Sequence, residues 1–146
     1  MKSKLRGVCL FLAIVFLMAV PVNAVSNLEP RGSAFFSSYL TFLYKTSSTS
    51  FQVCFDVTAN AALMQELGAS MIEVFESADQ QSWTKVKTYE MDDYPEMIDD
   101  NTASHTGYVT YDKAISGYYY YARVTYYAKN SRGIGENPQY TQILRM

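Results

Sequence analysis

The sequence predicts an all-β domain, a sandwich of about seven antiparallel strands with one short helix in a loop. Three observations lead there. Apolar and polar residues alternate with period two along most of the chain after residue 38, most plainly where Phe51, Val53, Phe55 and Val57 interleave with Gln52, Cys54 and Asp56. Aromatic residues make up 15% of the chain and 13 residues are Tyr, a composition that suits a pleated, half-buried surface better than a helical bundle. Turn-forming clusters separate the alternating runs at the regular spacing of a sandwich.

The chain opens on a different pattern. Lys2, Lys4 and Arg6 precede an apolar run from Val8 to Val20, and Val22-Asn23-Ala24 supplies small residues where a signal peptidase cuts. The run is short for a hydrocarbon core, which needs roughly 20 residues. Residues 1–24 are therefore expected to be a cleaved signal peptide, with the mature protein secreted, extracellular and clear of the membrane. Cleavage removes three basic residues and no acidic ones, so the net charge falls from −2 to −5. Nucleic acid and anionic membrane surfaces recruit basic patches and are excluded as partners on that ground. Cys9 leaves with the signal. Cys54 then has no partner within the chain, so apolar burial rather than a disulfide has to hold the fold. The mature chain has no Asn-x-Ser/Thr site and ends in Ile143-Leu144-Arg145-Met146 with no apolar tail or sorting motif, which predicts release into the medium.

Residues 25–37 read as a flexible leader and 38–146 as the β-sandwich domain. Tyr39 to Lys45 predicts the first strand and Thr46 to Thr49 its turn; Phe51 to Val57 follows with its Phe/Val face inward. Residues 60–68 (NAALMQELG) predict the helix, with Asn60 as N-cap, Leu63 and Leu67 on one face and Gly68 as the terminating glycine. Residues 70–77 predict a strand with Ile72 and Val74 inward, and a hairpin turn at 78–81 returns through Trp83 to Tyr89. Trp83 is expected to be buried over the core. The acidic segment 90–101 (EMDDYPEMIDDN) reads as a loop. Gly107 to Tyr111 is a short strand and Tyr118 to Lys129 the longest. On the latter Tyr120, Ala122, Val124, Tyr126 and Ala128 share one face, while Tyr119, Tyr121, Arg123, Thr125, Tyr127 and Lys129 share the other. The first face is assigned to the core because Arg123 and Lys129 are costly to bury unpaired. Residues 130–135 predict a turn and 139–145 the closing strand.

Two resemblances rest on these residues. Tyr120-x-Ala122-Arg123-Val124 followed by Asn130-Ser131-Arg132-Gly133-Ile134-Gly135 resembles the penultimate strand and last turn of fibronectin type III domains. Val74-Phe75-Glu76-Ser77-x-Asp79-x-x-x-Trp83 resembles their central hairpin. This likeness covers residues 70–145 and implies an immunoglobulin-like, fibronectin type III-like sandwich. The first half departs from it: it has no early-strand Trp and no proline-rich start. The whole chain is similar to small secreted proteins of Gram-positive bacteria through Phe55-Asp56-Val57-Thr58, Leu67 to Ser70 and Asp92 to Pro95. That resemblance implies the compartment and the fold and carries no activity across.

Catalytic chemistry finds little to use. The single histidine, His105, follows Ser104, and adjacent side chains in an extended segment point to opposite faces, so Ser104 cannot use it as a base. Cys54 remains a geometrically open nucleophile for it. Asp92, Asp93, Glu96, Asp99 and Asp100 lack the spaced ligands and glycine of a calcium loop. No catalytic residue, metal or cofactor is assigned. Tyr119, Tyr121, Arg123 and Tyr127 are the expected binding residues, because Tyr offers large contact area at low entropic cost. The expected function is a secreted, non-enzymatic module that binds a protein or a glycan through an aromatic sheet face. A secreted toxin or bacteriocin-like effector and a small extracellular hydrolase are the alternatives.

Overall fold

The computed structural model describes residues 34–60 and 63–146; the expected signal peptide and leader residues 25–33 lie outside the described residues. Among the described residues the chain forms strands β1 (Phe36–Lys45), β2 (Phe51–Ala59), β3 (Met64–Ser77), β4 (Thr84–Glu90), β5 (Ile98–Thr102), β6 (Ser104–Tyr111), β7 (Tyr119–Asn130), β8 (Gly133–Tyr140) and β9 (Leu144–Arg145). They make two sheets whose paired strands are all antiparallel. One sheet has the order β1-β2-β6. The other has the order β4-β3-β7-β8, with β5 also paired to β3 and β9 to β7. The chain is an all-β, immunoglobulin-like sandwich.

The period-two pattern decides what lies between the sheets. Phe51, Val53, Phe55 and Val57 of β2 meet Ile72 and Val74 of β3 and the predicted face of β7. Tyr120, Ala122, Val124, Tyr126 and Ala128 are each 0% exposed, so the face assignment for the long strand holds. Burying a phenol needs a partner for its hydroxyl. Tyr126 donates to the Leu40 carbonyl in the opposite sheet at 2.6 Å, and Tyr89 donates to the Thr110 carbonyl at 2.8 Å. Tyr120 donates to Glu76 at 2.5 Å and accepts the Ile115 N–H, five residues upstream, at 2.8 Å. That last bond is the tyrosine corner of immunoglobulin-like sandwiches. Tyr89 and Tyr126 therefore tie the two layers together.

Register between β3 and β7 is marked by charge. Glu66 faces Lys129 and Glu73 faces Arg123, and the pairing shifts by one residue between Ala69 and Met71. Ser70 is the residue bulged out, and its hydroxyl bonds Glu136 on β8 at 3.1 Å. A one-residue slip elsewhere in this pair would turn core side chains to solvent and separate both ion pairs.

Four expectations need correction. The helix at 60–68 does not form: from Met64 onward the segment is the first half of β3, flanked by β5 and β7. Its Ala, Leu, Met and Glu favour a helix locally, but Leu63 is exposed while Leu67 is buried, so the two do not share the expected face. Tertiary pairing on both sides overrides that propensity. Gly68 ends no helix; a Cβ there would meet the Met97 carbonyl oxygen at 2.0 Å, so glycine is required for close backbone approach. Among the described residues the helical turn that does occur, a 3-10 turn at Pro95–Met97, lies in the acidic segment, whose second half is β5. The closing strand begins early. The Arg132 N–H bonds the Asn130 side chain at 2.8 Å and Gly133 takes φ +140°, so the chain reverses within two residues into β8. Pro138 is tolerated because β8 is an edge strand. Finally, β1 starts at Phe36, which is buried in the core, inside the segment expected to be leader.

Candidate functional site: the outer face of the larger sheet

Because β7 turns its even-numbered side chains inward, Tyr121 and Arg123 face out from the middle of the larger sheet. The register brings Phe75 opposite Tyr121, and Glu73 and Tyr140 opposite Arg123 on either side. Trp83 enters from the residue before β4. The Phe75 and Tyr121 rings lie 4.8 Å apart at 12°, Trp83 meets Tyr121 edge-on at 4.7 Å, and Tyr140 lies 6.1 Å from Tyr121. Four aromatic residues contributed from the β4 edge through β3 and β7 to β8 thus form one ridge across the sheet. Adjacent strands are themselves about 4.8 Å apart, so parallel rings at that distance stand on edge and turn their faces to each other. Their edges, and the 60% exposed Tyr140, meet the solvent.

Trp83 was expected over the core, and here the structure differs. It is half-buried on the outer face, because it meets the face of the sheet that carries Phe75 and Tyr121 rather than the face with Ile72 and Val74.

Beside the ridge lies a buried carboxylate. Glu73 has a 5% exposed side chain and accepts from Arg123 Nε at 2.5 Å and Lys85 Nζ at 3.1 Å, with Arg123 Nη2 also in contact. The Glu73 carboxylate first, and the Tyr140 hydroxyl after it, hold the Arg123 guanidinium charged beyond its ordinary range. Burial raises the Tyr121 phenol above its usual value. The unit of two cations and one anion locks Arg123 in place next to the aromatic edges and leaves one positive charge at the surface.

The expected binding residues divide. Tyr121 and Arg123 belong to the ridge. Tyr119 lies at the start of β7, where the Arg145 guanidinium covers its ring at 5.6 Å. Tyr127 is buried, its hydroxyl donating to Glu66 at 3.0 Å while Lys129 reaches the same carboxylate at 2.7 Å. Six residues of strand, roughly 20 Å, separate Tyr121 from Tyr127. Sequence reasoning missed Phe75, Trp83 and Tyr140. For Phe75 the signal was present: the alternation that sends Ile72 and Val74 inward sends Phe75 outward.

The other candidates separate in space. Cys54 lies on the outer face of the smaller sheet opposite Phe42 and Tyr108, and burial raises its thiol above the ordinary range. His105 lies on the inner side of the same sheet, its ring 5.5 Å from Phe55, with Nε2 at 3.1 Å from the Glu96 carbonyl oxygen. The two cannot act as a nucleophile–base pair. Among the described residues no group of three His, Cys, Asp or Glu could hold a metal ion, and no helix is long and apolar enough to cross a membrane.

No family model matches this chain, and no curated protein matches it. Among solved structures it is similar to the X-ray structure of the Northeast Structural Genomics Consortium target SoR45. The two are 11% identical with a TM-score of 0.31, over 76% of this chain and 84% of that one.

Proposed function

We propose that the mature chain is a secreted, non-enzymatic, fibronectin type III-like module that binds a protein partner through the ridge of Phe75, Trp83, Tyr121 and Tyr140 with Arg123. The ridge carries the reading: aromatic residues and a positioned Arg on an outer face are the side-chain types that dominate protein-binding hot spots. Stacking among the rings favours a protein over a glycan, since sugar recognition uses free ring faces and here they are turned to each other. The tyrosine corner at Tyr120 and the sheet orders β1-β2-β6 and β4-β3-β7-β8 support the fibronectin-like placement. The apolar run and small residues at 8–24 support export, and the separation of Cys54 from His105 supports a binding rather than a hydrolytic role.

The test is a binding screen of the mature protein against surface and secreted proteins of its surroundings. Tyr121→Ser/Tyr140→Ser is the ridge variant, and Leu40→Ser/Tyr44→Ser, on the other sheet, is the control. A partner lost about tenfold or more by the ridge variant and kept by the control supports the reading. A partner kept by the ridge variant and lost by the control moves the interface to the smaller sheet.

A further inference from the structure

An antiparallel sheet with one face in water alternates apolar inside with polar outside. The smaller sheet breaks that rule. Phe36 and Leu43 of β1 are buried, yet Leu40, Phe42 and Tyr44 of the same strand point outward and are 59%, 38% and 59% exposed. The register sets Phe42, Cys54 and Tyr108 in one row across the middle of this outer face, with Tyr108 57% exposed. Four such rows run from that of Ser38, Thr58 and Ser104 to that of Tyr44, Gln52 and Thr110. They contain a single charge, Asp56, which the Thr106 hydroxyl holds at 2.6 Å. The outer face of the larger sheet carries Glu66, Glu73, Lys85, Arg123 and Lys129.

We infer that the outer face of the smaller sheet binds a second copy of this chain, face to face about a two-fold axis. Residues 34–146 hold 8 Lys and Arg against 13 Asp and Glu, so two copies carry like net charge. This face is where they can meet at least electrostatic cost, and aromatic residues without charge are what the centre of an interface is made of. A two-fold contact requires the patch to match itself. An axis along β2 would set Asp56 against its own copy, like charge on like. An axis along the row of Phe42, Cys54 and Tyr108 removes that conflict. It sets Asp56 against Gln52 of the second copy, an amide that can donate to it, and Leu40 against Tyr44 of the second copy. Phe42 and Tyr108 then each meet their own copy, ring on ring. At 150–250 Å² for each aromatic, the four exposed apolar side chains offer roughly 400 Å², and the polar rows around them bring the face toward the roughly 600 Å² per partner of the smaller stable interfaces. Sheets packed face to face lie about 10 Å apart, beyond the about 4.4–6.8 Å between Cα atoms that a disulfide spans. The dimer is therefore non-covalent, and Cys54 is covered rather than cross-linked. The ridge lies on the opposite side of the sandwich and stays open, so the inference is independent of the ridge reading.

Sedimentation velocity of the mature protein in reducing buffer, from about 1 to about 500 µM, tests it, since interfaces at the small end reach micromolar affinity. A monomer–dimer equilibrium is expected within that range. Leu40→Lys and Tyr108→Lys, both at exposed positions, should each weaken it about tenfold or more with the circular dichroism spectrum unchanged. Gln52→Lys should tighten the dimer by setting a cation against Asp56 of the second copy, and Gln52→Glu should loosen it. Tyr121→Ser on the ridge should leave the equilibrium alone. The inference is overturned if the protein stays monomeric to the highest concentration, or if the dimer forms only without reductant. It is equally overturned if the dimer survives the lysine variants in folded form or is lost with Tyr121→Ser. Tightening by Gln52→Glu and loosening by Gln52→Lys would overturn the axis.

Discussion

The two faces of β7 use the same residue type for opposite ends. On the inner face Tyr120 and Tyr126 are fully buried and their hydroxyls are fixed to Glu76, Ile115 and the Leu40 carbonyl. On the outer face Tyr121 is half-buried, its ring committed to Phe75 and Trp83 and its edge left to solvent. The backbone alternation is the same for all three. What differs is what holds each residue: polar partners fix the inner hydroxyls, with Tyr126 reaching across to the other sheet, while stacking holds the Tyr121 ring at the surface.

Val124→Asp breaks the inner face most severely. It places a charge at a position with 0% exposure and no cation facing it, a cost of several kcal/mol that should unfold a domain of this size. The double change Tyr121→Ser/Tyr140→Ser should remain folded, with a lower denaturation midpoint measured by circular dichroism. If the double variant unfolds while Val124→Asp folds normally, the two faces are reversed.

The ion pair beside the ridge sharpens the comparison from the outer side. Removing Arg123 as Met leaves the Glu73 carboxylate, 5% exposed, with Lys85 alone, and should cost about 2 kcal/mol. Glu73→Gln leaves two cations that are 35% and 51% exposed and can turn to water, so the loss should stay within about 1 kcal/mol. Urea denaturation of both variants checks the order. Equal losses would show that the carboxylate is solvated despite its low exposure.

Alkaline pH acts on the inner tyrosines. Burial raises the phenols of Tyr89, Tyr120 and Tyr126 far above their ordinary value. Their contribution to stability is fully present below the unfolded value of about 10 and is lost as pH rises from there toward the folded values. The denaturation midpoint should therefore hold through pH 9 and decline above about pH 10. Tyr126→Phe, with one such group fewer, should decline less steeply.

How much of this was legible in the sequence follows from what each signal depends on. The inner faces of β2 and β7 were, because Phe51 to Val57 and Tyr120 to Ala128 alternate without interruption and alternation is a local property. The first half of β3 was not: Ala61 to Leu67 reads as a helix until β5 and β7, both distant in sequence, claim the backbone from Met64 onward. β8 carries Gly133, Gly135 and Pro138, which argue against a strand unless it is known to lie at an edge. The ridge was half legible. Tyr121 and Arg123 come from one strand's pattern, while Trp83, Phe75 and Tyr140 join them only through the register of three strand pairs. Tyr127 was indistinguishable from Tyr121 by alternation, and Glu66 is what makes it a buried structural pair.

Trp83 is the single tryptophan and it stands in the ridge, so its fluorescence reports directly on whether that face is occupied. The decisive measurement is Trp83 emission and its quenching by acrylamide, with and without a saturating protein partner that itself lacks Trp. Occupation of the ridge predicts a shift of the emission to shorter wavelength and a fall in quenching as the half-exposed indole is covered. Saturating binding that leaves both emission and quenching as they were in the free protein would contradict the ridge as the binding face.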